Sequence, residues 1–111
     1  MIDSVGPHIM GNFDFESGRR LLSEGDFVEA LRCLLASLEE DPSHVETYLV
    51  LFEAYDVAWH DSGDPMVLDQ MRKVALAGLK RATDAGHRDR LQACLDRADS
   101  LLLEHSHEDE G

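Results

Sequence analysis

The sequence predicts an all-α fold, with about five helices stacked as antiparallel hairpins in one domain, and three observations predict it. Apolar residues recur at steps of three and four over most of the chain. The interruptions fall at proline or glycine. No window shows the alternating, β-branched pattern of a strand. The loops between helical patterns are short enough to make successive helices antiparallel neighbours. A chain of 111 residues is expected to hold one core, burying roughly two-thirds of the surface its unfolded form exposes.

The elements follow in order. Phe15, Leu21 and Leu22 fall among good helix formers between Asn12 and Glu24, and Gly25 supplies a permissive residue at the end. Asp26 with Glu29 forms a capping-box pattern ahead of Phe27, Ala30, Leu31, Leu34, Leu35 and Leu38, a helix running to about Glu40. After the Asp41-Pro42 break the capping-box pattern returns at Ser43 and Glu46, and Tyr48, Leu49, Leu51, Phe52, Tyr55 and Trp59 make the most buried-looking helix. The polar stretch from His60 to Asp64 reads as a loop, with Asp64 as N-cap and Pro65 in the first turn of a fourth helix. That helix carries Met71, Val74, Ala75, Ala77, Gly78 and Leu79 and is expected to end near Gly86, where a left-handed position would suit glycine. Leu91, Cys94, Leu95, Ala98, Leu101 and Leu102 predict a fifth amphipathic helix. The tail after Leu103 is polar enough to be expected to fray. The resulting division is an N-terminal segment 1–11, a helical domain 12–104 and an acidic flexible tail 105–111.

Residues 11 to 42 carry a resemblance. Gly18, Gly25-Asp26-Phe27, Ala30, Leu34 and Pro42 fall where a helix-turn-helix unit of about 34 residues places its small residue, its turn, its second small residue, its large residue and its break. The string GDFVEALRCLLASLEEDP resembles the second half of a tetratricopeptide repeat almost throughout. In physical terms, small residues at Gly18 and Ala30 would let two helix backbones approach closely, with Phe27 and Leu34 filling the space around the contact. On this resemblance 12–42 is a first repeat, 43–86 a divergent second repeat with Phe52 where a small residue is usual, and 87–104 a capping helix or the start of a third. The fold expected is then a short solenoid of the tetratricopeptide type.

The resemblance also implies where a partner would sit. The first helix of each repeat lines a concave groove, which assigns Phe15, Arg19 and Leu22 from the first helix, Glu46, Leu49, Glu53 and Asp56 from the third, and Asp89, Gln92, Asp96 and Asp99 from the fifth. An apolar floor at one end and a carboxylate row at the other would select a basic or amphipathic segment of another protein. The bland alternative is that these acids are the solvated face of each helix. The family's version that grips a C-terminal carboxylate uses Lys, Asn and Arg in this groove. Phe15, Arg19 and Val50 stand at the corresponding places, so chaperone tails are not the expected ligand. Small acidic helical-repeat proteins also serve bacterial secretion systems as export chaperones, a similarity of size and charge only.

Charge and chemistry narrow the function further. Asp and Glu outnumber Lys and Arg 23 to 10, which argues against nucleic acid and anionic membrane as partners. No apolar run reaches the length of a bilayer span, and the first residues lack the pattern of a signal peptide, so the chain is expected in the cytoplasm. Cys33 and Cys94 have no CxxC partner and read as small core residues. His105 and His107 stand among acids in the tail, but a flexible tail loses ordering entropy on binding an ion, so no metal is expected. His44, His60 and His87 fall at helix ends without a nucleophile motif, and there is no phosphate loop or HExxH. The expectation is a protein-binding adaptor or chaperone, not an enzyme, without cofactor. The alternative is a structural subunit whose exposed solenoid ends pair in a homodimer.

Overall fold

The computed structural model describes residues 15–110, with side chains through His105, and among them every regular element is helical. Five helices occur: α1 (15–23), α2 (Phe27–Glu40), α3 (Val45–Ser62), α4 (Pro65–Arg81) and α5 (Ala85–Glu110). The predicted N-terminal segment 1–11 and positions 12–14 of the predicted first helix lie outside the described residues. Each helix runs antiparallel to the next. Gly18 meets Ala30 and Leu34, Gly78 meets Tyr48 and Leu91, and Arg72 pairs with Asp99. α3 also touches α5, whereas α2 makes no backbone approach to α4 or α5.

The turns show which local signals act. Gly25 has φ +88°, a left-handed conformation that glycine adopts without steric cost. It closes α1 in a Schellman motif, with the Asp26 amide donating to the Leu21 carbonyl (2.9 Å) and the Gly25 amide to Leu22 (3.0 Å). Gly63, at φ +68°, ends α3 in the same conformation, and the Asp64 carboxylate accepts from the Met66 amide at 3.0 Å to start α4 at Pro65.

Several boundaries differ from the expectation. Neither capping box forms. The Asp26 side chain makes no cap bond, and Glu29 turns instead to Arg32 at 3.3 Å. The Ser43 hydroxyl donates to the Asp41 carboxylate at 2.7 Å, so His44 becomes the residue before α3. That same Ser43 hydroxyl, followed by its amide, holds the Asp41 carboxyl below its ordinary value. His60, Asp61 and Ser62 belong to α3 rather than to a loop. α4 stops at Arg81, not near Gly86, and Gly86 lies in the first turn of α5 without a positive φ. Arg88 explains the early stop, because its guanidinium donates to the carbonyls of Leu79 (3.2 Å) and Ala82 (3.1 Å) that the end of α4 leaves free. Asp84 then accepts from the His87 amide at 3.0 Å and opens α5. α5 continues through Glu110, where a frayed acidic tail was expected after Leu103. Leu101 and Leu102 pack on the core, and His105 meets Trp59 edge-on at 6.4 Å, which holds the start of that last stretch.

Three apolar clusters form one continuous core. Phe15, Leu34, Leu51 and Ala54 join α1, α2 and α3. Tyr48, Leu49, Ala82 and Leu91 join α3 to the end of α4 and the start of α5. Phe52, Leu68, Met71, Ala75 and Ala98 join α3, α4 and α5. Val74 packs against all three, and Tyr55 against two. Cys33 and Cys94 are half-buried at the margins of this core rather than inside it. The molecule is long, 62 by 30 by 18 Å. The 26 residues of α5 alone account for about 39 Å at a rise of 1.5 Å per residue.

The tightest helix contact is at Gly18. A Cβ built there would lie 2.6 Å from Leu34 Cγ and 3.4 Å from the Ala30 carbonyl oxygen, and Leu34 is fully buried. Gly18→Ala is therefore expected to lower stability by about 1–3 kcal/mol, even though alanine is the better helix former. Combined with Leu34→Ala it should cost less than the sum of the two single changes, because the truncated leucine no longer occupies the space the new methyl enters. Urea unfolding followed by circular dichroism measures both.

Candidate functional site

α3 fixes the site because two of its faces are already engaged. Leu51 and Ala54 face the first hairpin, Phe52 faces α4 and α5, and Tyr48 packs beside Leu91. What remains is a stripe at Glu46, Leu49, Val50, Glu53 and Val57, spaced by three and four residues and so on one side of the helix. This stripe is the floor of a concavity of about 370 Å³. α1 contributes Phe15, Arg19, Leu22 and Ser23 to its walls, and α5 contributes Arg90. The volume falls at the low end of ligand clefts, about 300–1,000 Å³.

The registers of α1 and α5 against α3 follow from specific contacts. The Phe15 ring meets the His44 ring edge-on, centroids 4.7 Å apart, at the start of α3. The His44 Nδ1 lies 2.8 Å from the Thr47 hydroxyl, which holds the imidazole in place. The Arg19 guanidinium lies 5.8 Å from the centroid of the Phe15 ring, a cation–π contact that keeps it at the wall. On the other side Leu91 seats against Gly78 and Tyr48, which turns the neighbouring Arg90 toward the concavity.

Of the residues assigned to a groove from sequence, the concavity brings together Phe15, Arg19, Leu22, Glu46, Leu49 and Glu53. Asp56, Asp89, Gln92, Asp96 and Asp99 do not line it. Asp56 accepts two hydrogen bonds from Arg97, at 2.9 and 3.1 Å, with His60 3.6 Å away. Asp99 pairs with Arg72 of α4 at 2.9 Å, and Asp96 accepts from Gln92 at 3.2 Å. Asp56, Gln92, Asp96 and Asp99 are therefore tied within α5 or between α5 and its neighbours, while Asp89 is exposed. The reason is rotational. Seating Leu91 on Gly78 presents Arg90 to the concavity where Asp89 was expected, one residue or about 100° around the helix.

Ser23, Val57 and Arg90 line the concavity but were not assigned to it, and Val50 lines it at the position the resemblance gives to the groove. Val57 was legible as the continuation of the Val50 and Glu53 stripe. Arg90 was not, because its direction depends on the close approach at Gly78. Among the described residues no group of three or more His, Cys, Asp or Glu side chains is placed to hold a metal ion. Nor is any helix of the described residues long and apolar enough to cross a membrane.

Cys94 packs against two of the three apolar clusters. Burial pushes its thiol above the ordinary value, opposed by nearby Arg90 and reinforced by Asp56. At pH 8 its alkylation by iodoacetamide should run several-fold slower in the folded chain than in the chain unfolded by guanidinium, read by mass spectrometry of the Cys94 peptide.

Comparison with protein-family models, with curated proteins and with solved structures finds no match to this chain.

Proposed function

We propose that this chain is a protein-binding module of the tetratricopeptide-repeat type, acting without catalysis as an adaptor or chaperone in the cytoplasm. α1 with α2 would be its first repeat and α3 with α4 a divergent second. α5 would be a cap, since Asp89, Ala93, Asp96 and Ser100 on its outer side are exposed. The observation that carries the reading is the concavity over α3, where Leu22, Val50 and Val57 form an apolar strip between α1 and α5, with the buried Leu49 beneath it. An amphipathic segment of another protein would cover that strip and gain its burial free energy. Phe15 and Val50, both in the lining, give the site apolar contacts where the family's carboxylate-gripping version has polar donors.

Fluorescence anisotropy with a labelled amphipathic helical peptide bearing a leucine stripe tests this. Val57 is 37% exposed, so Val57→Asp leaves the core alone. It should weaken binding by about tenfold, because the partner's apolar face would have to close over an unpaired carboxylate. Peptide binding that ignores this substitution would remove the groove from the interaction.

A second reading has one observation in its favour. Val28 and Leu35, 65% and 43% exposed, stand seven residues apart on the outer face of α2, which α4 and α5 do not approach. Such a strip could pair with a second copy of the chain. Light scattering over a dilution series decides it: a monomeric mass at every concentration excludes the dimer.

A further inference from the structure

The charges around the groove differ from those elsewhere on α3 and α5. Asp56, Arg72, Arg97 and Asp99 are used up in pairs between helices. Among the described residues Glu46, Glu53 and Arg90 are without an ion-pair partner, and Arg19 lies over the Phe15 ring. All four line one concavity, yet opposite signs do not meet there, because the apolar floor keeps them on separate helices. The two carboxylates are on α3, along the floor, seven residues apart. The two guanidiniums are on the flanking helices α1 and α5.

A segment that covers Val50 and Val57 also takes these four charges partly out of water. A charge removed from water without a counter-charge is costly. The occupant must therefore bring basic groups over the floor and acidic groups toward the walls. Net charge alone would not suggest this, since the chain as a whole carries −13 and would attract any basic peptide at long range.

Resting on the groove reading above, we propose that the concavity takes an amphipathic helix of a partner protein with a two-sign pattern. Lysines or arginines lie within its apolar stripe, seven residues apart, to meet Glu46 and Glu53, and carboxylates lie on both flanks to meet Arg19 and Arg90. The seven-residue spacing follows because a helix lying along α3 shares its rise, which puts the two contacts about 10.5 Å apart. A uniformly basic helix places cations against Arg19 and Arg90 and is disfavoured there.

The experiment uses two capped peptides of about 15–20 residues, long enough to hold helical structure. They have the same composition, the same leucine stripe and zero net charge. One has two lysines in the stripe and glutamates on the flanks; the other has lysine and glutamate positions exchanged. Equal composition removes the long-range attraction and leaves only the pattern. The matched peptide is expected to bind the full chain about tenfold more tightly than the exchanged one at low salt, the sum of several screened pairs. Glu46→Lys with Glu53→Lys, both at exposed positions, should abolish that preference, because each peptide then makes two attractive and two repulsive pairs, with circular dichroism showing an unchanged fold.

Two peptides that bind alike, or an order that the double substitution leaves untouched, overturn the charge pattern. If Val57→Asp weakens both equally in that case, the groove reading survives without it. Absence of binding by both peptides, or binding indifferent to Val57→Asp, overturns the groove reading and the pattern together.

Discussion

Two leucines occupy space that a neighbouring helix leaves empty by having no side chain. Leu34 of α2 enters at Gly18 of α1, and Leu91 of α5 enters at Gly78 of α4 beside Tyr48 of α3. Both leucines are fully buried. Each contact brings backbones closer than any larger residue would allow, and each fixes a rotation as well as a distance. The rotation of α1 leaves Phe15, Arg19 and Leu22 beside α3, and the rotation of α5 points Arg90 the same way. The concavity is a by-product of these two seats.

α3 is the element that both seats serve. Its mean composition is apolar, but its faces are not equivalent. Phe52 and Leu51 are consumed by neighbours on opposite sides, while Leu49 and Val50 sit where the clusters end and the open side begins. A helix packed on two sides and open on a third can present apolar groups without exposing a wide patch, since α1 and α5 rise beside it. The Arg97–Asp56 pair, with two hydrogen bonds, ties α5 to α3 next to Val57, and a paired guanidinium fork holds orientation better than a single contact.

Much of this was legible before any coordinates. Helical period and glycine or proline punctuation placed the five elements and the α2 boundaries, because Leu34, Leu38 and their neighbours leave no other way to bury an apolar stripe. Gly18 and Ala30 were read as a close approach, and the contact distances show that they are one. The failures share a cause. Capping boxes at Asp26 and Ser43 satisfy a pattern, but Asp41 competes for the Ser43 hydroxyl, and a sequence window does not weigh that competition. The end of α4 was set by Arg88 reaching back to Leu79 and Ala82, a contact across a turn that periodicity does not see. Six of the seven groove residues assigned on α1 and α3 line the concavity, and Asp56 turns to Arg97 instead. Those assigned on α5 do not, because the direction of Arg90 is decided by a glycine on α4.

The absence of any approach between α2 and α4 or α5 bears on how the molecule comes apart. The backbone of α2 meets the remainder through α3, with side-chain packing from Val74 of α4 on the first-hairpin cluster, so releasing the hairpin leaves most of the packing of α3, α4 and α5 in place. A detachment of that kind takes less free energy than global unfolding. Backbone amides of α1 and α2 are thus expected to exchange with solvent through a partial opening, and those of α3 only on complete disruption. The wall holding Phe15 and Arg19 is the hinged side of the cavity, and the floor is its fixed side.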